Sequence, residues 1–129
     1  MALSEGDQIE LRVTPDRYVT VRYAGASGDF NPIHIDEQFA QQVGLPGRIL
    51  HGLWSMAQVA RAATDAAGGD PTALRSLSVQ FRGMGRMEQE IIISGEIKSV
   101  ADGVATAKLE ARQGDARLIR NAVAELRAN

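Results

Sequence analysis

The sequence predicts an α+β domain in which a curved antiparallel sheet wraps around one apolar helix. Three observations lead there. The residues from about Gly52 to Ala67 form an apolar run of helix length. Beyond Pro71 the apolar residues change to strand spacing. No repeat, linker or low-complexity tract divides the 129 residues into separate units. A chain this long buries roughly two-thirds of the surface that its unfolded form exposes, so residues 1–129 are read as one domain.

Taken in order, the first element is a helix with Asp16 as its candidate N-cap. It runs through Val19, Val21, Tyr23 and Ala24 and ends at Gly25 or Gly28. Val19-Thr20-Val21 also suits a strand. The second helix, Asp36 to Val43, has acidic residues in its first turn and Gly44 placed as a C-cap. The third begins near Gly52 and passes through Trp54, Met56, Ala57, Val59, Ala60 and Ala63 to about Ala67. Gly68-Gly69-Asp70-Pro71 stops it. A helix this apolar calls for burial nearly all round. Strand spacing follows at Leu74, Leu77, Val79 and Phe81, then from Ile91 through Ile97 to Val100. Ala101-Asp102-Gly103 turns the chain into Val104 to Leu109, and Gly114-Asp115 turns it again into Leu118 to Leu126. The expectation is a meander of long antiparallel strands.

Composition excludes whole classes of chemistry. With 44% hydrophobic and 23% charged residues the chain is globular rather than disordered. It has no Cys, which removes disulfides, thiolate metal sites and a cysteine nucleophile. Its two His, His34 and His51, cannot build a His-rich metal cage, so no metal is expected. The acidic start, Met1 to Asp7, does not read as a secretory signal, and no apolar run reaches the roughly 18 residues of a membrane span. A net charge of −2 with scattered arginines offers nothing to nucleic acid. A cytoplasmic protein acting on a small molecule is expected.

The stretch richest in chemistry is Tyr23-Ala24-Gly25-Ala26-Ser27-Gly28-Asp29-Phe30-Asn31-Pro32-Ile33-His34. Gly28 permits a sharp turn, and Pro32 keeps Asn31 out of helical conformation, so Asp29 to His34 reads as an irregular loop. A carboxylate and an imidazole five residues apart on such a loop can converge and supply an acid and a base near neutral pH. Gly52 opens the apolar helix, where free N–H groups and the helix dipole favour a developing anion. Blander readings stand beside these. Asp29 suits an Asx-turn, His34 a packed core position, and Gly52 a close helix contact. His51 reads as structural or turned toward a strand rather than as an acid. Arg82 and Arg86 suit a solvated strand end or a phosphate contact. Ala57, Ala60 and Ala63 suit either a groove for an acyl tail, closed by Trp54 and Met56, or tight helix–sheet packing.

The run from Tyr23 to His34, continued by Asp36, Phe39 and Ala40 and by His51-Gly52 at the usual interval, resembles the MaoC-type dehydratases. These are also called R-specific enoyl-thioester hydratases, and they adopt the hotdog superfold. Within that family the chain looks similar to the small single-hotdog dehydratase subunits of actinobacterial fatty-acid synthesis, which pair with a second, non-identical hotdog chain. Carried over residue by residue, the resemblance makes Asp29 and His34 the catalytic pair and the Gly52 N–H the oxyanion donor. It makes Asn31 a residue that holds the loop or assists the water. Two positions depart from the family. Many hydratases carry a Ser eight residues after the glycine of His-Gly, where this chain has Ala60. The family's Pro-Val-x-Pro-Gly turn is replaced by Met84-Gly85-Arg86-Met87-Glu88.

What the resemblance implies is reversible hydration of a trans-2-enoyl thioester, of coenzyme A or an acyl carrier protein, to the (R)-3-hydroxyacyl product. No cofactor is called for beyond the thioester carrier. Asp29 is favoured as the base that activates water and His34 as the proton donor. A homodimer, or a heterodimer with another hotdog chain, would complete the site. Two rivals remain: a hotdog acyl-thioesterase, and an acyl-chain-binding partner subunit of a heterodimeric dehydratase.

Overall fold

The computed structural model describes residues 2–129. Five strands form one open antiparallel sheet: β1 (Gln8–Val13), β2 (Leu74–Phe81), β3 (Ile91–Ala101), β4 (Val104–Gln113) and β5 (Ala116–Arg127), in the order β1-β3-β4-β5-β2. The helices are α1 (Val19–Ser27), α2 (Pro32–Ile35), α3 (Glu37–Gln42) and α4 (Gly52–Ala66), and a 3₁₀ turn spans Pro71–Ala73. Helix α4 touches all five strands, so the sheet wraps around it as expected.

The core is built by alternation, broken on β5 where Leu118 and Ile119 are both buried. On β4, Ala105, Ala107, Leu109, Ala111 and Gln113 are buried while their neighbours face outward. Across from them lie Ile91, Ile93 and Ile97 of β3, and Leu118, Ile119, Ala122, Ala124 and Leu126 of β5. The small residues of β4 let α4 approach closely, bringing Val59, Ala62 and Ala63 into the same cluster. Ala63 is completely buried, so at this position tight helix–sheet packing holds and no groove forms. The β3–β4 hairpin turns on Asp102 and Gly103, both at positive φ, as a two-residue Asp-Gly turn requires. After α4, Asp70 caps the 3₁₀ turn. The Thr72 hydroxyl and N–H, together with Arg127, hold the Asp70 carboxyl below the usual carboxylate range.

Four expectations need correction. Strand β1 went unread, because Ile9, Leu11 and Val13 alternate over only six residues and the partner strand is β3, where Gln8 faces Glu96. The strands are not a simple meander either: β2 crosses the layer to pair with β5 rather than β3. The segment from Asp29 to His34 is not wholly irregular. Pro32 opens the short helix α2 at its first position, where a missing N–H costs nothing. Finally, α4 is not buried all round: Leu53, 60% exposed, and Ala57 face outward.

Candidate active site

Helix α1 ends on Gly28, whose φ of 81° places it in the left-handed region while its N–H donates to the Ala24 carbonyl at 2.9 Å. That cap throws the chain outward at Asp29. Three hydrogen bonds then fix this residue. The Asp29 N–H donates to Ser27 Oγ at 3.1 Å, the Asp29 Oδ1 accepts from the Asn31 N–H at 3.1 Å, and the Asp29 carbonyl accepts from His51 Nε2 at 3.0 Å. These contacts hold the aspartate in place, with no hydroxyl at position 60, which is Ala60.

Asn31 is extended and caps α2, its Oδ1 accepting from the Ile33 N–H at 3.2 Å. Its side chain therefore holds the loop. Helix α2 delivers His34 into the interior, 7% exposed. The His34 Nδ1 donates to the Ile49 carbonyl at 2.8 Å, and its Nε2 lies 3.8 Å from Asp29 Oδ2. Since a carbonyl only accepts, Nδ1 keeps its proton and Nε2 is the exchangeable nitrogen facing the carboxylate. The two side chains differ sharply in setting: the Asp29 side chain is 52% exposed, that of His34 only 9%.

His51, read from the sequence as structural or turned toward a strand rather than as an acid, packs directly against this pair. It sits at the N-cap of α4 without capping it through its side chain. Its ring, 2% exposed, stacks on His34 with centroids 3.8 Å apart and planes 21° off parallel, and Tyr23 tilts against its other side at 4.8 Å. Donation from Nε2 to the Asp29 carbonyl fixes the tautomer and leaves Nδ1 buried without a partner. The signal was present, since His51 directly precedes a helix-opening glycine, but nothing in the spacing says that it stacks on a residue 17 positions earlier.

Gly52 is the first residue of α4, so its N–H has no acceptor within the helix. A Cβ there would sit 3.2 Å from the Phe81 ring. Gly52, Leu53, Phe81, Tyr23, Ser27, Asp29 and His51 line a cavity of about 280 Å³. His34 is not part of this lining; its Nε2 approaches the carboxylate of Asp29, which is. Arg82, read as a solvated strand end or phosphate contact, joins Arg112, Arg117 and Arg120 around a different cavity, so the arginines are less scattered than the sequence suggested. Arg86 is half-buried instead, its backbone N–H held by the Gln113 side chain.

Asp29, His34 and His51 are the one group among the described residues with three metal-ligating atoms in proximity, within 4.8 Å of one another. In each imidazole one ring nitrogen is engaged with a carbonyl, His34 Nδ1 with Ile49 and His51 Nε2 with Asp29, which leaves His34 Nε2 and His51 Nδ1 as the remaining nitrogens. Among the described residues no helix is long and apolar enough to cross a membrane.

Comparison with known proteins places this geometry in context. The family described as "MaoC like domain" matches residues 5–117. The chain is 35% identical over 91 residues to the fatty acid synthase beta subunit TOXC of Cochliobolus carbonum, covering 70% of this chain and 4% of that protein. It is 38% identical over 73 residues to the peroxisomal enoyl-CoA hydratase 2 of Arabidopsis thaliana, covering 56% of this chain and 23% of that protein. It thus spans less than a quarter of either relative's length. Among solved structures, the ChsH1-ChsH2 complex from Mycobacterium tuberculosis contains a chain that superposes with a TM-score of 0.86 at 26% identity, covering 98% of both chains.

Proposed function

The chain belongs to the MaoC-like domain family, with the hotdog fold, and on that premise we propose that it hydrates trans-2-enoyl thioesters and dehydrates (R)-3-hydroxyacyl thioesters. The observation that carries this reading is the 3.8 Å approach of His34 Nε2 to Asp29 Oδ2, beside a cavity whose wall includes the first N–H of α4. A water oxygen fits in hydrogen-bond reach of both groups at once.

In hydration, Asp29 takes a proton from the water as its oxygen bonds to C3. The C2–C3 π electrons move toward the thioester oxygen, where the Gly52 N–H and the α4 dipole receive the charge. For this His34 must enter the step as the imidazolium, with Nδ1 and Nε2 both protonated beside the Asp29 carboxylate. It delivers its Nε2 proton to C2 and becomes the neutral Nδ1–H imidazole. The proton held by Asp29 then passes to Nε2 and restores the starting pair. Every atom and charge is accounted for without a cofactor or metal. One oxyanion donor is worth about 2.7–4 kcal/mol, and acid–base assistance about 10²- to 10⁴-fold. The thioester carrier in this reading is coenzyme A or an acyl carrier protein.

The exposed flank points to a partner. Leu53 and Phe81, 60% and 51% exposed, border the cavity, and β2 is an outer strand with one free edge. In this reading a second hotdog chain, identical or not, covers that rim, and the pair works in the cytoplasm. The test follows crotonyl-CoA with the purified chain, alongside light scattering. Loss of enoyl absorbance without thiol release supports hydration. Free coenzyme A would indicate a thioesterase. Inactivity both alone and with a hotdog partner would leave the acyl-chain-binding subunit.

A further inference from the structure

Four of the chain's 14 lysine and arginine side chains meet in one place. Arg82, Arg112, Arg117 and Arg120, with Asp115, line a cavity of about 390 Å³ where the ends of β2 and β4 meet the start of β5. It opens on the outer face of the sheet, since Glu110 and Arg112 take outward positions of β4 between the buried Leu109, Ala111 and Gln113. Phe81, the residue before Arg82, borders the catalytic cavity instead, because successive side chains of a strand take opposite faces. Three of the guanidiniums are held by one edge. Arg112 Nε donates to Glu110 Oε2 at 2.6 Å, Arg117 Nε lies 3.6 Å from Glu110 Oε1, and Arg120 Nε donates to Gln80 Oε1 at 2.9 Å. Among the described residues no acceptor engages their Nη groups. The Arg82 backbone N–H donates to the Leu118 carbonyl at 2.9 Å, and its guanidinium has no partner among the described residues.

We propose that this cavity binds a phosphate-bearing small molecule of more than one negative charge. Anchoring at Nε fixes the plane of a guanidinium and leaves its Nη edge as a fork of donors, the shape that matches two phosphate oxygens. Against the four guanidiniums stand two carboxylates, Glu110 and Asp115, so positive charge is left over in a chain whose net charge is −2. A concave wall of one sign concentrates that field on an entering anion. The phosphate has two possible sources. One is the phosphorylated end of a coenzyme A thioester, reaching over the β2 edge from the catalytic cavity; the other is a separate phosphorylated molecule. The site stands on its own geometry, and only the first source rests on the hydratase reading.

Adenosine 3′,5′-bisphosphate carries the phosphates without an acyl group, so its binding is read by calorimetry without any turnover. It is titrated into the wild type, Arg82→Ala, Arg120→Gln and, outside the cavity, Arg61→Gln. The Kd is expected to rise about tenfold or more in Arg82→Ala and in Arg120→Gln, the worth of one charge-assisted hydrogen bond, and to stay unchanged in Arg61→Gln. The Arg82 guanidinium holds nothing else in the fold, so Arg82→Ala keeps the test decisive if Arg120→Gln fails to fold. No binding by the wild type overturns the site, as do folded variants at Arg82 and Arg120 that bind as tightly. An equal loss in Arg61→Gln also overturns it, because the anion then responds only to overall charge. Kinetics with crotonyl-CoA and crotonyl-pantetheine identify the source. If the phosphates belong to the thioester, the bisphosphate competes with crotonyl-CoA, and Arg82→Ala raises the KM for crotonyl-CoA relative to that for crotonyl-pantetheine. Binding without competition assigns the site to a separate molecule. A chain that binds the bisphosphate as expected but hydrates neither thioester sinks the hydratase reading and leaves the site standing.

Discussion

The layer between α4 and the sheet and the rim around Asp29 are held by opposite means. Between α4 and β3–β5 the contacts are apolar, alternating and dry: Ile93 and Ile97 are completely buried against the alanine-rich inner face of β4. At the rim, Asp29 is half exposed and is held by hydrogen bonds to Ser27, Asn31 and His51. The first region resists any change of volume but carries no chemistry. The second carries the chemistry in the proposed function, and its aspartate contributes little burial. Stability and activity should therefore separate cleanly under mutation.

The sharpest separation is expected at the rim. Asp29→Asn and His34→Gln should each lower kcat for crotonyl-CoA hydration by at least about 10²-fold with the unfolding midpoint little changed. Near wild-type rates in both would remove the pair from the mechanism. In the core, Ile97→Ala should cost about 2–5 kcal/mol of unfolding free energy in denaturant titration, while the fraction still folded keeps its turnover. Asn31→Ala tests the seam between the regions. It removes the cap of α2 while leaving the Asn31 N–H on Asp29, so it should cost about 0.5–2 kcal/mol of stability and lower activity only modestly. The smallest effect is expected at His51→Phe, which keeps a ring against His34 and deletes the donor to the Asp29 carbonyl. One neutral hydrogen bond of about 0.5–1.5 kcal/mol corresponds to a two- to tenfold fall in kcat. A loss as large as that of Asp29→Asn would mean that His51 itself exchanges protons with substrate.

The same division explains what was legible from sequence. The core announces itself through local period: the β3–β4 hairpin with its Asp-Gly turn, the β5 alternation and the Gly-Gly-Asp-Pro stop after α4 are each encoded within a few residues. Pairings across long separations are not encoded that way. β1 was missed because its partner is β3, more than seventy residues on, and β2 was misplaced because an antiparallel strand does not name its neighbour. At the rim, residue types pointed to Asp29, His34 and Gly52. The stacking of His51 on His34 and the donation from Nδ1 to Ile49 exist only once the chain has closed on itself. Asn31-Pro32 was a readable signal used in the wrong sense: a capping residue followed by Pro at the first helical position starts a helix.

Ile49 is a two-sided clip. Its N–H holds the Ile33 carbonyl and its own carbonyl holds the His34 imidazole, while the next residue, Leu50, is bonded to the Gly85 carbonyl. One step further, the Gln113 side chain grips Arg86 and Gln89, fastening that connection to the end of β4. The imidazole thus takes its bearing from the middle of the sheet, as a surveyor's mark does from bedrock, and not from the small helix that carries it. Gentle warming that frays the surface helices should leave this alignment intact, so thermal inactivation should coincide with the global melt instead of preceding it.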